Sequence, residues 1–157
     1  MGWRTSAVSG MTRWAAVVAR DVRYGDDETV RALLADTHTW AVVGLSANTR
    51  RTAYGIAQYL RDHGKRVIPV HPSRPTVAGE PGYAAVTDIP FPVDVVDVFV
   101  RSELAGPVVD DAIAAGAGGV WLQLGVRDDA AAARAERAGL RVVMDTCPKI
   151  EAPLVGW

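Results

Sequence analysis

Two hydrophobic periods alternate along this chain, and the places where one gives way to the other outline its elements. Trp40-Ala41-Val42-Val43-Gly44-Leu45 is a continuous apolar run, the pattern of a strand covered on both faces. A polar loop follows, Ser46-Ala47-Asn48-Thr49-Arg50-Arg51-Thr52. Ile56, Tyr59, Leu60 and His63 then recur at spacings of three and four, predicting a helix from about Ala53 that stops at Gly64. Arg66-Val67-Ile68-Pro69-Val70 reads as a second strand; Pro69 has no N–H to donate and so predicts an irregular end or an edge position. Ser73 to Gly82 is rich in Pro and Gly and reads as a loop, and Tyr83 to Ile89 as a short extended piece broken by Pro90-Phe91-Pro92.

Val93 to Val100 is a third strand. Gly106-Pro107 then opens a helix carrying Val108, Val109, Ala112 and Ile113, stopped by Gly116. Gly119 to Gly125 is a fourth strand with its exit, Asp128 to Ala138 an Ala-rich helix with acids at its start, and Leu140 to Asp145 a fifth strand. Pro148 to Trp157, with two prolines, reads as an irregular tail over the surface. Ahead of all these, Asp26-Asp27-Glu28-Thr29 with Val30, Leu33 and Leu34 reads as a helix with acids in its first turn, packed on the sheet before the first strand. Strands alternating with helices imply right-handed crossovers and a parallel sheet. The expected fold is α/β: a Rossmann-like, doubly wound, parallel five-stranded sheet with helices on both faces.

At 157 residues the chain fits one domain with one core. We place that domain at 26–157 and read 1–25 as a partly flexible leader. The leader carries Met1-Gly2-Trp3-Arg4-Thr5-Ser6, which fits the bare N-myristoylation pattern, and Met11, an alternative start. Its longest apolar run, Trp14 to Ala19, is too short for a secretory signal, so the leader is read as plain chain. No apolar run approaches the roughly 20 residues that span a bilayer. A net charge of −1 gives no bias toward nucleic acid or anionic membrane, so neither is expected as a partner. A single cysteine, Cys147, excludes an internal disulfide and fits a reducing, cytoplasmic setting.

Candidate chemistry concentrates at the first strand's exit. A strand, a Gly turn and a helix start present backbone N–H groups and the positive end of a helix dipole, a site for phosphate. The dinucleotide fingerprint G-x-G-x-x-G is not intact: Gly44 supplies the tight turn, but Ser46 and Thr49 stand where further glycines belong. An NAD site also needs an acid at the second strand's end, roughly 20 residues on, for the ribose. This chain has Val70-His71-Pro72-Ser73-Arg74 there. Basic residues suit a ribose carrying an extra phosphate, as in NADP or coenzyme A.

Five segments taken in order now carry a resemblance. Trp40 to Ser46, Val67-Ile68-Pro69-Val70-His71-Pro72, Val95-Val96-Asp97-Val98-Phe99-Val100-Arg101, Trp121-Leu122-Gln123-Leu124-Gly125 and Met144-Asp145-Thr146-Cys147-Pro148-Lys149-Ile150-Glu151 resemble the small stand-alone CoA-binding proteins. These are similar to the N-terminal domain of the succinyl-CoA synthetase α subunit. The resemblance implies coenzyme A as ligand, with phosphates held by Gly44, Ser46 and the loop of Asn48, Arg50, Arg51, Thr52 and Ala53. It implies an adenosine pocket lined by Val70, His71 and Pro72, with Val100, Arg101 and Gln123 on the same rim. Arg74 joins these as a basic candidate. The chain departs from the pattern at His71, where the family often has Asn, and at Thr146, where it often has Arg. The synthetase's second domain, with its phosphorylated histidine, has no counterpart, so ligase chemistry is not carried over.

Elsewhere the chemistry-bearing residues read as structural. His71 has no visible acid partner for general-base work. His38 and His63 read as surface or core-edge residues, Cys147 as a buried inert thiol, and Lys149 with Glu151 as a local ion pair. Asp94, Asp97, Asp110 and Asp111 fit no metal-ligand spacing, and no metal is expected. Trp3, Trp14, Trp40, Trp121 and Trp157 read as packing residues rather than a base-stacking platform. With no catalytic nucleophile, base and orienter in sight, the sequence points to a protein that binds coenzyme A or an acyl-CoA, acting as a binding or regulatory module. The alternative from another class is a small NADP-linked oxidoreductase, for which Tyr59 and Lys65 are the nearest catalytic candidates; a scaffold with a vestigial pocket is a third. A homodimer or a protein partner is compatible with the first reading.

Overall fold

A computed structural model describes residues 24–157. The leader's myristoylation pattern, Met11, Trp3 and Trp14 lie outside the described residues. Among the described residues the elements run in the order α1 (Asp27–Ala35), β1 (Thr39–Val43), α2 (Thr52–Asp62), β2 (Arg66–Val70), a 3-10 turn (Val86–Asp88), β3 (Val95–Val98), α3 (Ser102–Ala114), β4 (Gly119–Leu122), α4 (Asp129–Arg137), β5 (Arg141–Met144) and α5 (Pro148–Val155). The five strands form one parallel sheet in the order β2-β1-β3-β4-β5. This is the expected Rossmann-like, doubly wound fold. Chain order reverses between β1 and β3, which opens a crevice above their carboxyl ends.

Strand side chains alternate between two cores. Ala41, Val43, Val96, Val98, Val120, Leu122, Val142 and Met144 pack with α3 and α4 on one face. Trp40, Val42, Val95, Trp121 and Val143 pack with α1, α2 and α5 on the other. Trp40 and Trp121 are fully buried, 5.8 Å between ring centroids, as packing residues should be. Gly119 leaves room for Leu33 of α1, whose Cδ2 would stand 2.6 Å from any added Cβ. Asp26 caps α1 by accepting from the Thr29 N–H at 2.8 Å, and Asp128 caps α4 through Ala131 at 2.9 Å. Among the described residues no helix is long and apolar enough to cross a membrane.

Three expectations need correction. The chain from Pro148 is not an irregular tail but α5, with Ala152 and Val155 buried against α1 and α2. Pro148 occupies the first helical position, where its fixed φ fits and its missing N–H is not needed. The third helix opens at Ser102, not at Gly106-Pro107, which lie inside it. There Gly106 lets α3 approach α4: an added Cβ would stand 3.2 Å from Asp128 Oδ2. Tyr83 to Ile89 is not an extended piece: Tyr83 makes a single bridge with Val70, and the chain then turns into the 3-10 segment. Pro69 lies on β2, the edge strand, as its missing donor predicts.

Candidate functional site

At the β1 exit Gly44 adopts φ +99°, and an added Cβ would lie 2.4 Å from the carbonyl oxygen of Phe99. The Gly44 N–H donates to Val70 O at 2.8 Å and the Phe99 N–H to Val43 O at 2.9 Å. The exits of β2, β1 and β3 are thus tied into one rim. The loop beyond Gly44 is shaped by its own polar groups. The Asn48 N–H donates to Ser46 Oγ at 3.2 Å and the Arg50 N–H to Asn48 Oδ1 at 3.0 Å. These bonds deliver Arg51 as the N-cap of α2, where no side chain caps the helix. The first turn, with Thr52 and Ala53, opens onto the crevice together with its dipole.

Three cavities meet there. One of about 330 Å³ lies against Gly44, Arg50, Arg51, Thr52, Ala53 and Phe99. A second, also about 330 Å³, runs toward β2 between Val43, Gly44, Val70, His71, Pro72, Ala84 and Val100. The third, about 720 Å³, runs the other way over β4 and α5, past Val100, Arg101, Leu104, Gln123, Leu124, Val126, Cys147 and Ile150. Arg51 and Phe99 line all three. The result is one bent cleft with a cationic elbow, an arm on the β2 side and an apolar arm on the β4 side.

Most of the sequence candidates meet here. Gly44, Arg50, Arg51, Thr52 and Ala53 line the elbow, Val70, His71 and Pro72 the β2 arm, and Val100, Arg101 and Gln123 the β4 arm. Ser46 and Asn48 instead brace the loop. Arg74, at φ +50°, takes no part in lining the three cavities; its N–H closes a turn on His71 O at 2.9 Å. The His71 ring is also turned to local use. Its Nδ1 accepts from the Ser73 N–H at 3.1 Å and lies 2.7 Å from Ser73 Oγ, which places the neutral ring's proton on Nε2. Tyr59 lies two turns along α2, about 10 Å along the helix axis from Thr52, and Lys65 lies beyond the helix's far end. Lys65 Nζ donates to the Thr37 carbonyl there.

Sequence reasoning missed Phe99, Leu104, Leu124, Val126 and Ile150 as lining residues, and read Cys147 as buried when its thiol borders the β4 arm. Burial pushes that thiol's pKa up, so it stays protonated at neutral pH and forms an apolar wall. Lys149 and Glu151 part ways: Glu151 turns inward and accepts from Thr146 Oγ1 at 2.6 Å, while Lys149 Nζ stands 5.8 Å from the Tyr59 ring centroid. The Thr146 carbonyl accepts from Trp121 Nε1 at 3.0 Å, which anchors the start of α5 to β4. Gly125 is pinned in turn, its N–H donating to Asp145 Oδ1 at 2.7 Å and its carbonyl accepting from Ser102 Oγ at 3.2 Å.

Beneath the β4 arm lies Asp97, fully buried, with Oδ1 accepting from Gln123 Nε2 at 2.6 Å and Oδ2 without a partner. Burial pushes its pKa from 3.8 up to about 8, against the opposing pull of the Gln123 and Val98 hydrogen bonds. The folded state therefore holds a proton that the unfolded chain has already lost. That linkage destabilises the fold progressively as pH rises from about 4 to about 8. Asp97→Asn keeps the acceptor for Gln123 and removes the titration. We expect it to raise stability by on the order of a few kcal/mol at about pH 7.5, and by less at about pH 5. Urea unfolding at the two pH values reads this directly, and parallel pH profiles for the two proteins would rule it out.

The comparisons with known proteins agree with this architecture. Residues 38–153 match the CoA binding domain family. YneT, an uncharacterized protein of Bacillus subtilis (strain 168), is 31% identical over 121 residues, covering 77% of this chain and 90% of its own. A hypothetical protein from Pyrococcus horikoshii OT3 superimposes with a TM-score of 0.81 at 34% identity, covering 88% of this chain and 98% of that one. The dinucleotide-forming acetyl-coenzyme A synthetase 1 of Ca. Korarchaeum cryptofilum, solved with phosphate and ADP, is 25% identical with a TM-score of 0.65. That likeness covers 74% of this chain and 27% of the synthetase. With a bent cleft at the sheet's switch point and a family match over most of its length, this chain belongs to the CoA binding domain family.

Proposed function

We propose that this protein binds coenzyme A in the bent cleft and acts as a binding or regulatory module rather than as an enzyme. The observation that carries the reading is the junction itself: Arg51 and Phe99 line a cationic elbow with a differently lined arm on each side. A ligand with a nucleoside, a charged diphosphate and a long weakly polar arm matches that sequence of surfaces. Arg50, Arg51 and the start of α2 take the phosphates. Val70, His71 and Pro72 border the adenosine, and Val100, Arg101 and Gln123 border the pantetheine arm. A non-catalytic role is supported by the side chains at the β4 arm. The Cys147 thiol is held protonated by burial, and the Gln123 amide is committed to Asp97.

The test is thermal-shift and calorimetric titration with CoA, 3′-dephospho-CoA, NADP and NAD. CoA is expected to stabilise the fold in proportion to its binding, by about 2.7 kcal/mol at a hundredfold excess over Kd. It is expected to bind more tightly than 3′-dephospho-CoA. A preference for NADP over CoA would overturn the reading in favour of a small oxidoreductase.

A further inference from the structure

Leu104, Leu124, Ile150 and Leu154 stand out as large hydrophobic side chains left in solvent among the described residues, and three of the four border the β4 arm of the cleft. Their exposures are 49% for Leu104, 64% for Leu124 and 48% for Ile150. Exposed apolar side chains clustered around a concavity are the mark of a binding surface for an apolar group. Phe99, Val126 and the protonated Cys147 continue the same surface toward the elbow.

Two donors in the middle of this arm are already committed, and its cations stand at the elbow and in solvent. Gln123 Nε2 is held by Asp97, the Gly125 N–H by Asp145, and the Arg101 guanidinium stands in solvent 3.9 Å from Glu103. A carboxylate carried past the elbow, where Arg51 and Thr52 stand, would meet these two spent donors and the leucine side chains, with only the solvent-facing Arg101 near it. A hydrocarbon chain would cover the exposed leucines and lose no hydrogen bond. The arm's roughly 720 Å³ is also more than twice the volume of either neighbouring cavity, room for more than the end of a thiol.

Resting on the CoA reading above, we propose that the β4 arm selects a coenzyme A thioester carrying an apolar acyl group. The chain lies across Leu104, Leu124 and Ile150, in preference to free CoA or a carboxylated acyl-CoA.

The experiment is calorimetric titration of the full chain with CoA and with acetyl-, butyryl-, hexanoyl- and succinyl-CoA. Full burial of a methylene corresponds to roughly a fourfold gain, and this open arm is expected to give about twofold to threefold per methylene. Hexanoyl-CoA should therefore bind at least about tenfold tighter than acetyl-CoA, with succinyl-CoA weaker than butyryl-CoA. Leu124→Ser combined with Ile150→Ser, both at exposed positions, should cut the hexanoyl-to-acetyl ratio below about threefold. Leu154→Ser, outside the cavity, should leave that ratio intact. CoA binding with a flat chain-length series, or with succinyl-CoA tighter than butyryl-CoA, overturns the acyl assignment and leaves the CoA reading standing. A flat series together with self-association abolished by Leu124→Ser would assign the patch to a second copy of this chain. Absence of binding by CoA and every thioester would overturn both.

Discussion

Gly44→Ala is expected to lower stability by about 3 kcal/mol or more and to abolish measurable CoA binding. Two costs combine at this residue. The backbone sits at φ +99°, where an L side chain is strained by about 1–2 kcal/mol. The added Cβ would also lie 2.4 Å from Phe99 O, a backbone atom held in place by the bond from the Phe99 N–H to Val43. Relief requires the β1 and β3 exits to separate, which costs further stability on the scale of overpacking. The same movement displaces Phe99, which lines every arm of the cleft.

Gly64 supplies the control. It has φ +87° but no neighbouring atom within 4 Å of an added Cβ, so Gly64→Ala should cost only the conformational strain. For a domain of this size the two variants should differ in Tm by several degrees, with CoA titration separating them further. Equal Tm values and equal CoA affinities in the two variants would show that close approach at the β1 exit constrains nothing.

Arg50→Ala with Arg51→Ala should weaken CoA binding on the order of a hundredfold while leaving the Tm of the free protein nearly unchanged. Hydrogen bonds to charged groups contribute about 1.5–3 kcal/mol each, and both side chains are exposed, so the lower end applies. Two such losses amount to about 3 kcal/mol, or roughly two decades in Kd. Because the interaction is ionic and solvent-facing, affinity of the unaltered protein should fall with added salt. The double variant should lose most of that dependence. Lysine at both positions should restore part of the affinity and little of the geometry, since the bidentate fork is gone. Calorimetry at two salt concentrations reads both effects. An unchanged Kd in the alanine variant would remove the phosphate role from this loop.

How much of this was legible in the chain depends on how local the cause is. The first strand, the helix starts at the acids around Asp26 and Asp128, and the stop at Gly64 are fixed by neighbours within a few residues. They stand where the pattern put them, except that β1 ends at Val43, two residues before Leu45, because the chain turns at Gly44. The elbow residues Gly44, Arg50, Arg51, Thr52 and Ala53 likewise lie within one stretch of ten, so a strand-turn-helix pattern was enough to group them. Pro148 and Pro107 misled for a local reason of the opposite kind. Proline reads as a breaker or as a helix start, yet Pro148 opens α5, while Pro107 and Pro153 lie inside helices whose packing against neighbouring elements stabilises them.

The sequence by itself determined the alternation of strand and helix, the parallel sheet, the strand-turn-helix passage at Gly44 and the family resemblance. Tertiary structure alone decided that Phe99 stands at the junction of three cavities, that Cys147 and Ile150 from α5 face Leu104 and Leu124 across one arm, and that Asp97 is buried beneath it. Those residues are separated by tens of positions, and what joins them is the strand order β2-β1-β3-β4-β5 with its reversal between β1 and β3. Periodicity reports which face a residue takes on its own element. It carries no information about which distant element will stand opposite, because that is set by the burial of whole faces at once.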